Sequence, residues 1–287
     1  QWLAFKTVVD SGTYALAAEN LNKSQSAISY AIANLNEQLP KPVLRLKGRK
    51  AELTEEGTVL YRYAEQLINA ANAAEAVAKS MAMGFEAEVV LAVDVLVQVS
   101  SLVRCFEQFS LEFPHTRIRV LETSLSGTTE ALLEKEADIV VGSLTPTGFT
   151  SRSVGEITMV PVAAPSHPLV KGRADVSEFE LRSHRQIVLR DTGTKRKIDA
   201  GWLGAQQRWT VSHFSTSIEL LKSGLAFAFI PSRWVASPIA KGELELIPLE
   251  QGQERKIPLF LMFSDQNSAG PATKALASLI AEHLRNA

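Results

Sequence analysis

The chain has 287 residues, 46% of them hydrophobic and 21% charged, with a formal net charge of −1. That length exceeds an ordinary single domain and points to two or three. The near-neutral charge excludes a uniformly basic nucleic-acid binder, and no apolar run is long enough to span a bilayer. A single cysteine, Cys105, excludes an internal disulfide. The amphipathic N-terminal stretch carries no cleavage-like site, which points to the cytoplasm.

In chain order, a first helix reads from Trp2 to Asp10, with Leu3, Phe5, Val8 and Val9 as its apolar stripe. Gly12 stops it, and Thr13 caps a short helix, Tyr14 to Leu21, that buries Ala17, Ala18 and Leu21. Asn22-Lys23-Ser24 is a tight turn, with Ser24 as N-cap of a third helix from Gln25 to Gln38. On that helix Ala27, Ile28, Ile32, Leu35 and Leu39 face inward, and Ser26, Ser29, Tyr30, Ala33 and Asn34 face away. A helix that enters a major groove needs short hydrogen-bonding side chains at its N-terminal end and basic residues beside it, where the phosphates run. The basic loop Pro40 to Glu52 supplies the latter. The pattern is a helix-turn-helix with a wing. It assigns Ser24, Gln25, Ser26, Ser29, Tyr30 and Asn34 to the groove. Lys23, Arg45, Lys47, Arg49 and Lys50 are assigned to phosphates or the minor groove. A plain helical hairpin explains the aliphatic residues but not the polar helix start together with the flanking bases.

Residues 2–57 resemble the N-terminal domain of LysR-type transcriptional regulators, through "FKTVVDSGTYALAAENL", "SQSAISYAI" and "GRKAELTEEG" in the family's order and spacing. Departures are Pro40 for a usual glycine, Leu44 and Leu46 for a usual phenylalanine and arginine, Asn36 for a usual glutamate, and Tyr30 where arginine is frequent. The resemblance implies a domain spanning 1–53 that binds double-stranded promoter DNA.

Thr54 caps a long helix that reads to about Met83, so residues 54–84 form a linker. Leu60, Ala64, Leu67, Ala71, Ala74, Ala78 and Met81 alternate in steps of four and three, the spacing of a heptad seam. A homodimer through this helix is expected, or a homotetramer through further contacts. From Ala87 strands and helices alternate: "AEVVLAVDV", a helix about Val99 to Phe113, "TRIRVLE", "GTTEALLEKE", "ADIVVGS". A second set follows with "EITMVPVAAP", "RQIVLRD", "RWTVS", "STSIELLKSG" and "LAFAFIP"; "IPLFLMFS" and a terminal helix close the chain. This alternation means α/β units on a parallel sheet. The arrangement resembles the two-lobed effector-binding domain of the same family, itself similar to bacterial solute-binding proteins. Lobe I would take 85–160 and 262–287, and lobe II 161–261.

In such sheets ligands sit outside the C-terminal ends of strands. That rule selects Asp94, Leu96, Val97, Gln98, Ser124, Ser126, Leu144, Arg190, Thr192, His213, Phe214, Ser215 and Thr216 as the effector site. Hydroxyls at helix starts suit an anionic or hydroxylated ligand, although each also serves as an N-cap. Asp94 repels a carboxylate unless Arg190 or Lys195 pairs with it. No catalytic set, metal spacing or cofactor motif occurs among the five histidines and single cysteine; Cys105 reads as a small hydrophobe. The chain therefore reads as a non-enzymatic regulator controlled by a small molecule that shifts subunit arrangement, DNA bending or contact with RNA polymerase. A solute-binding protein explains residues 87–287 but not the N-terminal part, and an α/β enzyme lacks its nucleophile, base or metal.

Overall fold

The computed structural model describes residues 1–47, 50–250 and 254–285. It divides into two compact units, Gln1–Ala82 and Met83–Ala287. Among the described residues no helix is long and apolar enough to cross a membrane.

The first unit holds α1 (Trp2–Ser11), α2 (Tyr14–Asn20), α3 (Gln25–Gln38), β1 (Leu44–Lys47), β2 (Lys50–Leu53) and α4 (Glu55–Ala82). Its punctuation follows residue chemistry. Gly12 takes φ 73 and donates its N–H to the Val9 carbonyl, ending α1. The Thr13 and Ser24 hydroxyls accept the Leu16 and Ala27 N–H groups, starting α2 and α3. Phe5, Val8, Ala17, Ala18, Ile28, Ile32 and Leu35 form one core with Val43, Leu44 and Ala64. Ala27, expected inward, is exposed, because the buried stripe of α3 runs through Ile28, Ile32 and Leu35. β1 and β2 form an antiparallel hairpin with Leu44 opposite Leu53. The Ala51 N–H donates to the Gly12 carbonyl at 3.0 Å, which ties this hairpin to the helical core. Asn36 holds the loop before the hairpin, its Oδ1 accepting the Val43 N–H at 3.0 Å.

The second unit begins with β3 (Glu88–Asp94), a 3₁₀ turn (Val99–Leu102), α5 (Val103–Glu112), β4 (Arg117–Thr123), α6 (Ser126–Leu133) and β5 (Ile139–Gly142). Next come β6 (Ser151–Ala163), α7 (Glu178–Ser183), β7 (Arg185–Leu189), β8 (Gln207–Val211), α8 (Phe214–Lys222) and β9 (Phe227–Pro231). α9 (Ser232–Ala240), β10 (Glu245–Leu246), β11 (Arg255–Phe263) and α10 (Pro271–Arg285) complete it. One sheet runs β4-β3-β5-β11-β6-β9-β7-β8, with β10 on β6. β3 pairs in parallel with β4 and β5, and β7 with β8 and β9. The long antiparallel pair β6 and β11 crosses between the two parallel halves.

Each half is covered on both faces, as parallel sheets require. In the first half, Leu91, Val93, Phe109, Ile139, Leu276 and Ile280 pack on one face, and Val90, Ala92, Leu132 and Val140 on the other. In the second half, Val162, Ile187, Phe214, Leu221, Ile230 and Val235 pack on one face, and Leu169, Leu181, Phe227 and Ile247 on the other. α5 turns Cys105 and Phe109 into the core, leaving Val103 46% exposed.

Candidate functional site

In the first unit, Gln25, Ser26, Ser29 and Tyr30 are exposed along one side of α3, opposite buried Ile28, Ile32 and Leu35. Ser24 caps the helix and lies 2.9 Å from the Ser26 hydroxyl, so the helix start presents two linked hydroxyls. Asn34 is half-buried further along. On the hairpin, Arg45 and Lys47 both reach Glu52, at 3.3 and 3.6 Å. Such exposed pairs are worth little, so phosphate can replace Glu52 as partner. Lys23 and Lys50 are exposed, and Lys41 is paired with Glu56. Arg49 lies outside the described residues.

In the second unit a cavity of about 870 Å³ opens between the parallel halves of the sheet. Of the thirteen residues picked by strand topology, Asp94, Leu96, Ser124, Leu144, Arg190 and Phe214 line it. The other seven lie outside its wall, for separate reasons. Val97 is buried in the core beside β3, and Gln98 precedes the 3₁₀ turn. Ser126 and Thr192 are engaged within the protein, as described below. Ser215 and Thr216 point to solvent, because α8 turns Phe214 and Ser217 toward the cavity instead. His213 lies 3.2 Å from the Glu122 carboxylate. The sequence reading missed Gln186, Lys197, Trp202, Arg208, Phe229 and Arg255, which also line the wall. Only the inward-facing register of β7 and β8, where Gln186 pairs with Arg208, signals any of them.

Asp94 sits at the floor, 3% exposed. Its oxygens accept the Leu96 N–H at 2.9 Å and the Thr128 hydroxyl at 3.2 Å, and the Leu125 N–H also donates to it. The expected pairing with Arg190 or Lys195 does not form; Lys195 pairs with Glu134 instead. Burial pushes the Asp94 carboxyl up to about 6, against the pull of those hydrogen bonds. Leu125 has φ 54, a strained position for leucine, and it lines the cavity directly before α6.

The start of α6 is closed by the chain itself. Asp191 accepts the Ser126 N–H at 3.1 Å, the Gly193 N–H at 2.8 Å and the Ile198 N–H at 2.7 Å. The Ser126 hydroxyl lies 2.7 Å from the same carboxylate and 2.6 Å from the Arg196 carbonyl. Thr192 Oγ1 accepts the Ser124 N–H at 2.8 Å and donates to the Ser124 carbonyl at 3.0 Å, while the Ser124 hydroxyl donates to the Arg190 carbonyl. One turn along α6, Glu130 accepts the N–H groups of Thr194, Lys195 and Arg196 at 2.7–2.9 Å. Backbones meet so closely here that a Cβ on Gly127 would stand 2.0 Å from Thr192 Oγ1, and one on Gly193 1.9 Å from Ser126 Oγ. Burial alone would raise the Asp191 carboxyl; the bonds from Ile198, Gly193, Ser126 and Gly127 hold it below the usual range. The Thr194 N–H leads the bonds that lower Glu130 in the same way. This clasp joins the loop after β7 to the loop after β4, and so spans the two parallel halves.

Burial pushes the Cys105 thiol up to about 11, which makes it inert as a nucleophile at neutral pH. Among the described residues no three His, Cys, Asp or Glu side chains converge as a metal site would.

Residues 1–58 match the bacterial regulatory helix-turn-helix domain of the lysR family, and residues 83–285 match the LysR substrate binding domain. The regulator CrgA of Neisseria meningitidis serogroup C is 27% identical over 295 residues, covering 98% of this chain and 95% of its own. The probable HTH-type transcriptional regulator YhaJ of Escherichia coli K12 is 27% identical over 248 residues, covering 85% of this chain and 83% of its own. Among solved structures, that of Neisseria meningitidis CrgA superposes with a TM-score of 0.54 at 23% identity, covering 98% of this chain and 97% of the other. Full-length LysG of Corynebacterium glutamicum with bound effector Arg gives 0.54 at 16% identity, over 99% and 97% of the two chains. With both halves of its sequence accounted for by one architecture, the chain belongs to the LysR family of transcriptional regulators, joining a DNA-binding helix-turn-helix domain to an effector-binding domain.

Proposed function

We propose that α3 enters the major groove of promoter DNA, with Gln25, Ser26 and Tyr30 at base edges and the hairpin cations at phosphates. The segregation of α3 carries this reading: its polar side is exposed at the helix start, where, among the described residues, only the Ser24 hydroxyl engages it. The protein acts as a dimer or tetramer, with α4 as the pairing element. Its 28 residues extend ~42 Å, and beyond Ala64 its seam residues Leu67 and Met81 are 53% and 58% exposed. The effector occupies the cavity between lobe I (85–160 and 262–287) and lobe II (161–261). Its binding shifts the subunits, DNA bending or contact with RNA polymerase in the cytoplasm.

A gel-shift assay on the region upstream of the protein's own gene tests the DNA reading. Gln25→Ala is expected to relax sequence preference by ~1–3 kcal/mol per lost base contact. Unchanged affinity and unchanged preference at matched salt would remove α3 from the groove.

A further inference from the structure

We propose that the effector is an organic anion with a large apolar body, and that Arg208 on β8 or Arg255 on β11 meets its charge in place of the hydroxyls at the start of α6. The inference rests on the reading that this cavity is the effector site. It follows first from which charges in the wall are already used. The lining contains Arg190, Lys197, Arg208, Arg255 and Lys256 against Asp94, Asp191 and Asp199. Asp94 already accepts two N–H groups and a hydroxyl, and Asp191 is engaged by the clasp. Lys256 pairs with Glu156. Among the described residues, no carboxylate partner stands against Arg190, Lys197, Arg208 or Arg255, and only Asp199 remains on the acidic side. An ammonium ligand would meet four unpaired cations and, of the three wall carboxylates, only Asp199 without hydrogen bonds from the protein among the described residues.

The second support is that the natural anion position is filled. The N-terminus of α6, with its N–H groups and the Ser126 hydroxyl, is the place where strand topology sends a carboxylate. Asp191 occupies it. An anionic head therefore has to be received by cationic side chains elsewhere in the wall. Arg208 stands on the edge strand β8 beside Gln186, and Arg255, four strands away in the sheet, opens the crossing strand β11 opposite Met159.

The third support is the remainder of the lining, where Met159, Trp202, Phe214, Phe229, Ile257 and Pro258 give apolar and aromatic surface. The volume of about 870 Å³ equals that of roughly thirty liquid waters. That space suits a body larger than one amino-acid side chain.

The test uses the full chain and a panel of aryl and long-chain carboxylates, sulfonates and phosphates, each with its uncharged amide or alcohol and its amine counterpart. Thermal shift finds binders and titration calorimetry ranks them. At least one acid is expected to bind about tenfold or more tightly than its uncharged and amine counterparts, and to weaken by a similar factor in Arg208→Gln or in Arg255→Gln. Thr210→Trp and Leu144→Trp, at exposed positions on opposite walls, fill the cavity and should each abolish binding. If neutral or amine members bind as well as acids and both tryptophans abolish them, the anion inference fails while the cavity reading stands. If acid binding survives both tryptophan variants, the cavity reading itself fails. A panel in which no anion binds overturns the inference, and so does acid binding indifferent to both arginine variants.

Discussion

Removing the Asp191 carboxylate should loosen the effector domain far more than a half-buried loop residue ordinarily would. The side chain receives three backbone N–H groups at 2.7–3.1 Å and the Ser126 hydroxyl at 2.7 Å. Asp191→Ala leaves all three N–H groups without a protein partner. A lost helix cap costs about 1 kcal/mol, and hydrogen bonds to a charged acceptor contribute about 1.5–3 kcal/mol each when water is excluded. Asp191 is only half-buried, so water replaces part of the loss. The cap and two further bonds at the low end come to about 4 kcal/mol, and discounting for water leaves about 3 kcal/mol. In a unit of this size each kcal/mol moves the melting point by about 2–4 °C, for a fall of about 6–12 °C. Tryptophan fluorescence reads this unit well, because Trp202, Trp209 and Trp234 lie in it and only Trp2 lies in the other. The pH dependence supplies a second check. The Asp191 carboxyl titrates below its ordinary 3.8, so its stabilisation is full above that value and disappears as pH falls through the lowered one. The gap between parent and variant should stay constant from about pH 5 to 8 and close below about pH 4. A variant melting within a degree of the parent at neutral pH would show that the clasp does not hold the two halves together in solution.

Two further outcomes are expected. Leu67→Lys should leave the folded chain intact, since Leu67 is 53% exposed, yet cost several kcal/mol in any helix seam that buries it. Sedimentation should then show a smaller species with weaker promoter binding, and unchanged assembly would move the interface away from α4. Asp94→Asn should flatten the pH dependence of stability. With the carboxyl raised from 3.8 to about 6, the folded state favours the neutral acid, and the parent loses about 3 kcal/mol as pH rises from about 4 to 6. Urea melts of the two proteins that keep the same slope across that window would place the Asp94 charge in water.

Periodicity made the first unit readable almost residue by residue. Ile28, Ile32 and Leu35 recur at helical spacing, and Thr13 and Ser24 mark the starts of α2 and α3 where their hydroxyls do cap. The apolar runs of β3, β5 and β9 were equally plain, because strands buried on both faces need no alternation. What escaped were elements too short or too irregular to carry a period. α7 has six residues, β10 has two, and α9 contains Pro238, which reads as a stop although the helix continues past it.

The candidate effector site was legible to the level of strand ends and no further, and the physical reason lies in what a hydroxyl at a helix start can bind. Topology places Ser124 and Ser126 at the end of β4, facing the cleft, and chemistry says that such groups take an anion. In the structure Ser124 lines the cavity but gives its hydroxyl to the Arg190 carbonyl, while Ser126 lies outside the wall and does take an anion. The anion is Asp191, which stands 65 residues further along the chain than Ser126. Local sequence cannot distinguish a carboxylate supplied by the chain from one supplied by a metabolite, because the donors are the same and the capping geometry is the same. The close-approach glycines hold the only trace of the difference. Gly127 and Gly193 leave no room for a Cβ against Thr192 and Ser126, so these two loops are built to touch each other. Where two loops meet with that little clearance, a ligand cannot lie between them. In the proposed reading, recognition passes to side chains that line the cavity on β8, β11 and the loop that carries Lys197 and Trp202. The clasp thus separates two tasks that a sequence reading merges: joining the halves of the domain, and choosing what binds between them.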